Sequence, residues 1–171
     1  MNIVKKCGWK SKKSPSTLST WGLNGVLQGF RGRYHAGMKT KHTLELSDIK
    51  KIAAAAEAEA LAHQWAVTIA IVDDGGHLLW LQRLDGAAAI SSYIGPAKAR
   101  TAAMGRRETK VYEDIINQGR TAFLSAPELE GMLEGGVPIM KDGQVIGAVG
   151  VSGVKSPEDA QIARAGIAAL G

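Results

Sequence analysis

The sequence predicts an α+β domain, an antiparallel β-sheet of four or five strands covered by helices. Two tight-turn signals carry that reading. Asp73-Asp74-Gly75-Gly76 and Asp142-Gly143 each separate two largely apolar runs, and strands joined by so short a loop must be antiparallel. The third observation is order: helix, hairpin, helices, hairpin, helix. That succession excludes a doubly wound nucleotide-binding sheet, and no glycine-rich phosphate loop follows a strand.

Each element has its own signal. Ser47 or Asp48 can cap a first helix over 49–63, where Ile49, Ile52, Ala53, Ala56 and Ala60 recur at helical spacing. Residues 67–73 are apolar nearly throughout, as a strand buried on both faces requires, and 77–83 return as its hairpin partner. From 89 to 106 the pattern is helical again, with Ile90, Tyr93, Ile94, Ala97, Thr101 and Met104 expected on the packed face. Pro96 either starts that helix after Gly95 or kinks it. A short helix over 108–119 is closed by Gly119. After Gly135-Gly136 come the second hairpin strands, 137–141 and 144–152. Ser156 as N-cap, Pro157 at the first helical position and two acids behind it start a last helix running to about 170.

The charge is uneven. The whole chain carries +5, yet residues 1–37 hold seven basic groups and no acid, while the other 134 residues hold 14 basic and 16 acidic groups. Basicity therefore belongs to the leader, and the domain, residues 38–171, lacks the basic face that nucleic-acid binding needs. No apolar run follows the leader's lysines as a secretory signal requires. Three readings of 1–37 stay open: sequence ahead of true initiation at Met38, which is favoured, a disordered basic tail, or a targeting or nucleic-acid arm. No uncharged apolar run approaches the ~18 residues of a membrane span. Cys7 stands alone, which excludes an internal disulfide and any multi-cysteine metal pattern and suits a reducing, cytoplasmic compartment.

Candidate site residues are few. His77 follows the Gly75-Gly76 turn, where it is either a solvent-exposed strand-start histidine, the favoured reading, or an imidazole at a hairpin rim able to ligate an iron centre beside an apolar wall of Leu79, Trp80 and Leu81. His63 lies near the end of the first helix, where a structural role with the helix dipole competes with ligation. No two histidines are spaced three or four apart, so no preorganised metal site is expected. Asp73, Asp74 and Asp85 bracket the first hairpin as turn formers or as a carboxylate pair. Glu130 and Glu134 lie one helical turn apart in an acidic segment. Lys98 is either a solvated helix-surface lysine paired with an acid or a cation that can meet a carboxylate, as Arg100 and Arg83 can. Gly135, Gly136 and the glycines toward Gly153 mark close approach of a helix, a subunit or a ligand. Ser152 and Gly153, next to a helix start, can grip an anion.

Several of these stretches fall into a known string. Residues 67–73 with Gly75-Gly76-His77-Leu78 and Arg83-Leu84-Asp85-Gly86-Ala87, the helix motif Ala97-Lys98-Ala99-Arg100-Thr101-Ala102, then Gly135-Gly136-Val137-Pro138-Ile139 and Gly147-Ala148-Val149-Gly150-Val151-Ser152-Gly153, resemble the GlcG/HbpS-like heme-binding protein family over about 42–170. The resemblance implies a profilin-like fold and a homo-oligomer. It implies heme or a related tetrapyrrole as ligand, since some members bind heme, and it raises Lys98 above the other cations. A relative forms the C-terminal domain of certain corrinoid adenosyltransferases, and other members are encoded beside glycolate or aromatic-compound catabolic genes. Three functions follow as expectations: a tetrapyrrole-binding module, an accessory enzyme or binding protein for a small carboxylate or aromatic catabolite seated by Lys98 and Ser152, and a purely structural module.

Overall fold

The computed structural model describes residues 40–171, so the basic stretch 1–37 and its boundary at Met38 lie outside the described residues. Helix α1 (Leu46–Ala62) buries Ile49, Ile52, Ala53, Ala56 and Ala60, the stripe read from spacing. Its cap is earlier than Ser47 or Asp48: the chain enters at Glu45, and the Asp48 carboxylate reaches back to accept the Glu45 amide at 3.1 Å. Strands β1 (Thr68–Asp73) and β2 (Leu78–Arg83) form the first hairpin. Helices α2 (Ser91–Gly105) and α3 (Thr109–Asn117) and a 3-10 turn, Thr121–Ser125, follow. Then come β3 (Gly136–Lys141), β4 (Gln144–Ser152) and helix α4 (Ser156–Ala168).

The strands form one sheet of four in the order β2-β1-β4-β3, every neighbouring pair antiparallel. β1 and β4 are central and almost wholly buried, as their apolar runs require. One sheet face meets α1 and α4 through Ile69, Ile71, Val137, Ile139, Val149 and Val151. The other meets α2 through Ala70, Val72 and Ala148 on the sheet and Ala99, Ala102 and Ala103 on the helix.

That second interface reverses the expected orientation of α2. Ile90, Tyr93 and Met104, placed on the packed face by spacing, are 60%, 76% and 43% exposed. Thr101 is buried as expected, but the residues buried with it are Gly95, Lys98, Ala99, Ala102 and Ala103. The reason is the floor beneath it. A methyl group at Gly150 would overlap the Gly95 carbonyl and the Ala99 amide, and one at Gly136 would overlap the Lys98 carbonyl. Helix and sheet approach backbone to backbone, and large side chains have no room between them. Pro96 lies inside this helix rather than at its start.

Two smaller corrections concern termini and loops. The last helix is capped by Lys155, with Ser156 as its first residue, and the Glu158 carboxylate accepts the Lys155 amide at 3.1 Å. Glu130 and Glu134 do not share a helix, because the chain from Glu128 to Gly135 is irregular. Among the described residues no helix is long and apolar enough to cross a membrane.

Candidate functional site

His77 stands at the tip of the first hairpin, and the turn is built to hold it. Asp73 ends β1, and its Oδ1 accepts the amides of Gly75 and His77, each at 2.9 Å. The Asp73 amide in turn donates to the His77 carbonyl at 3.0 Å. The same carboxylate then takes the imidazole: Nδ1 of His77 lies 3.0 Å from Oδ2 and 3.1 Å from Oδ1. Partial burial pushes the Asp73 carboxyl up, but the two amides and the imidazole outweigh it and hold its pKa below the ordinary value. A carboxylate at Nδ1 keeps the ring proton there, so Nε2 offers a lone pair outward from a side chain that is 80% exposed. Asp73 is thus both the turn former the sequence suggests and the orienting partner of His77.

Gly76 and Leu78, the residues on either side of His77, line a cleft of about 180 Å³ with Val72, Tyr93, Pro96 and Ala97. Arg100, Glu128 and Glu130 complete its rim. The cleft exists because α2 turns its small face to the sheet, which leaves Tyr93 and Arg100 pointing away from it. Of the expected wall, Leu79 and Leu81 remain exposed, but Trp80 packs against the α1/α4 core. The register explains this: Trp80 pairs with Ile71, which faces that core.

His63 caps the C-terminus of α1, stacks on Trp65 at 4.3 Å between ring centroids and lies with Nδ1 3.0 Å from the Glu59 carbonyl. It precedes β1 whereas His77 follows it, so the six residues of that strand, roughly 17–20 Å, separate the two. His63 and His77 therefore do not form a bis-histidine pair within one chain.

The other expected residues gather away from His77, toward the Ser152 end of β4. Lys98 is not a surface cation. Its side chain is 3% exposed, and Nζ donates to Asp159 Oδ2 at 2.8 Å and to the Val151 carbonyl at 3.0 Å. Burial raises the Asp159 pKa, and the bond and charge of Lys98 offset this only in part. Gly135 is pressed against Lys98 Nζ and Asp159, and Gly136 against the Lys98 backbone. Ser152, largely buried, pairs with Thr68 across the sheet, and Gly153 lies against Ala66 and Val67. These glycines serve the close approach of chain segments.

Tyr93 is the cleft residue that spacing places on the wrong face of α2. The local signal for the thin face is the small residues Gly95, Ala97 and Ala99 around Lys98.

Comparison with known proteins agrees with the fold and extends it. The family model described as "Haem degrading protein HbpS-like" matches residues 44–168. Protein GlcG of Escherichia coli (strain K12) is 58% identical over 115 residues, covering 67% of this chain and 85% of GlcG. The crystal structure of HbpS superimposes with a TM-score of 0.72 at 31% identity, covering 81% of this chain and 98% of HbpS. That of the PduOC:heme complex gives 0.69 at 30% identity, covering 75% of this chain and 95% of PduOC. With the family pattern spanning the whole described sheet and all four helices, the chain belongs to the HbpS-like family.

Proposed function

We propose that this protein binds heme, or a closely related tetrapyrrole, with His77 as the iron ligand. The carrying observation is the His77 imidazole, anchored through Nδ1 to Asp73 at the tip of the first hairpin, between the cleft residues Gly76 and Leu78. That donor suits a heme iron: it is an imidazole nitrogen on a ring oriented by a carboxylate. Leu78, Tyr93, Pro96 and Ala97 supply apolar surface for a macrocycle. Support also comes from the PduOC:heme complex and from the description of the family. When bound, the heme supplies an iron centre for ligand or electron chemistry. The chain's own contribution is to hold the imidazole in one tautomer and one orientation.

The reading includes a homo-oligomer. A cleft of about 180 Å³ is smaller than the roughly 300–1,000 Å³ of sites that enclose small molecules. One chain therefore covers a macrocycle only in part. Leu78, Leu81, Ile90 and Tyr93, each more than 40% exposed, give a second copy apolar surface to close against. The reading also places the protein in the cytoplasm, a reducing compartment suited to the lone Cys7.

The alternative, a binder of a small carboxylate or aromatic catabolite seated by Lys98 and Ser152, is weakened because Asp159 and the Val151 carbonyl already occupy the Lys98 ammonium. Absorbance titration with hemin decides between them. The expected result is a sharp Soret band that saturates at one heme per subunit or per pair of subunits. It is altered in His77→Ala and unchanged in His63→Ala. A broad, unsaturable spectrum that is the same in both variants would overturn the assignment.

A further inference from the structure

We infer that Arg100 is the carboxylate anchor of this site, and that the group it holds is a propionate on the edge of the bound macrocycle. The inference rests on the heme reading above and adds a second point of attachment to it. Arg100 leaves α2 on the side turned away from the sheet and lines the same cleft as Gly76 and Leu78. Its stem lies over the hairpin turn: a Cβ built on Gly76 would stand 2.8 Å from Arg100 Cγ. Gly76 has φ +80°, so a side chain at this position is disfavoured by backbone conformation as well. The bare glycine thus lets the Arg100 stem pack onto the residue that precedes His77.

The guanidinium is held only loosely. The carboxylate it approaches, among the described residues, is Glu128, whose Oε2 is 3.9 Å from Nη1. Charge-assisted hydrogen bonds are about 2.7–2.9 Å, so this is a long-range pairing between two side chains more than half exposed. The fork of N–H donors remains available for a bidentate carboxylate.

The rim also selects what kind of carboxylate enters. Glu128 and Glu130 both line the cleft and repel a small free anion. A carboxylate carried on a large apolar body has the burial of that body on Val72, Leu78, Tyr93, Pro96 and Ala97 to offset the repulsion. An apolar ring with acidic edge groups has that chemistry, whereas acetate does not.

Titrations that vary the two halves of the ligand separately test the inference. Wild type, Arg100→Gln and His77→Ala are each titrated with hemin, with metal-free protoporphyrin and with hemin dimethyl ester. Arg100→Gln retains most of the stem and removes the charge. It should weaken hemin and protoporphyrin by about tenfold, the order of one charge-assisted contact, with the Soret maximum of the hemin complex unmoved. It should leave the dimethyl ester within twofold of wild type. His77→Ala should shift the hemin Soret band and leave protoporphyrin binding unchanged. Glu128→Gln should tighten hemin binding severalfold at low salt, with the gain fading as salt rises.

Arg100→Gln binding hemin as wild type does, or losing the ester as strongly as the acid, would overturn the inference while leaving the His77 assignment intact. A His77→Ala spectrum like that of wild type, with the Arg100 effect retained on both acids, would overturn the axial assignment alone. Failure of wild type to saturate with any of the three would remove both. Stronger protection by acetate than by protoporphyrin in thermal unfolding would transfer Arg100 to a free small carboxylate and refute the propionate.

Discussion

The carboxylate of Asp73 and the imidazole of His77 face each other across the first hairpin turn, with Oδ2 3.0 Å from Nδ1. This contact fixes which ring nitrogen looks outward, so it should be felt in ligand binding even though Asp73 does not reach the cleft. Outer-shell partners of metal-bound histidines are worth about 10–100-fold in affinity. Asp73→Asn should accordingly weaken hemin by about tenfold or more, whereas Asp74→Asn, on the neighbouring carboxylate, should not. Equal losses in the two variants, read by Soret titration, would indicate a general charge effect instead of ring orientation.

The same carboxylate makes a pH-dependent contribution to stability in the ligand-free protein. Its folded pKa lies below the ordinary 3.8, because the His77 and Gly75 amides and the imidazole together outweigh partial burial. The folded state therefore binds the Asp73 proton more weakly than the unfolded state does. The stabilisation is complete above about pH 3.8 and disappears as pH falls through the lower, folded value. Asp73→Asn should be less stable than wild type by about 1 kcal/mol at pH 7, the scale of a lost hydrogen bond. Thermal midpoints measured from pH 7 downward should keep that separation to about pH 5 and converge below pH 3.8. A gap that widens on acidification would contradict the assignment.

Lys98 and Asp159 form a second carboxylate pair with the opposite character. The bond joins α2 to α4 with both side chains at most 3% exposed, so neither partner has water to fall back on. Removing one partner leaves a buried, uncompensated charge, and such breaks cost about 3–5 kcal/mol. Asp159→Asn and Lys98→Met should each destabilise by that order in chemical denaturation. The combined Lys98→Met/Asp159→Leu should recover most of the loss, because two apolar groups have no charge to desolvate. Additive losses in the double variant would mean that the two side chains are not coupled, and would contradict the buried pairing.

How far the sequence is legible depends on which physical signal each residue writes into it. The hairpins were readable because Asp-Gly turns and apolar runs are local: Gln144–Ser152 begins and ends at the predicted residues. The buried stripe of α1 was readable because its partners are ordinary aliphatic side chains. The face of α2 was misread because its packing partner is bare backbone at Gly136 and Gly150, so that hydrophobicity points the wrong way and size decides. Lys98 was misread for the related reason that its partner, Asp159, is 61 residues distant and looks locally like a helix-start acid. The resemblance to a family brought His77 and its hairpin forward, but nothing local linked Arg100 to Gly76. That juxtaposition comes from the path of α2 across the sheet.

Glycine at 150 offers the sharpest check on that path. It sits in β4 opposite Ala70 on one side and Gly136 on the other, directly under α2. A methyl group there would overlap the Gly95 carbonyl and the Ala99 amide, both backbone atoms that no side-chain rotation can move aside. Helix α2 would have to lift, which opens the small-residue interface of Ala70, Ala99, Ala102 and Ala148 and tilts Tyr93 and Arg100 away from Leu78. Overpacking of this kind costs about 1–3 kcal/mol, and more where backbone must shift. Gly150→Ala should therefore lower stability by about 3 kcal/mol and weaken hemin even in the variant that still folds. Gly143→Ala meets no atom within 4 Å, but its φ of +74° is unfavourable for alanine, so it isolates backbone strain from crowding. It should cost about 1 kcal/mol and leave hemin binding unchanged. If Gly150→Ala proved no worse than Gly143→Ala, the close seating of α2 on the sheet, and with it the shape of the cleft between α2 and the first hairpin, would have to be redrawn.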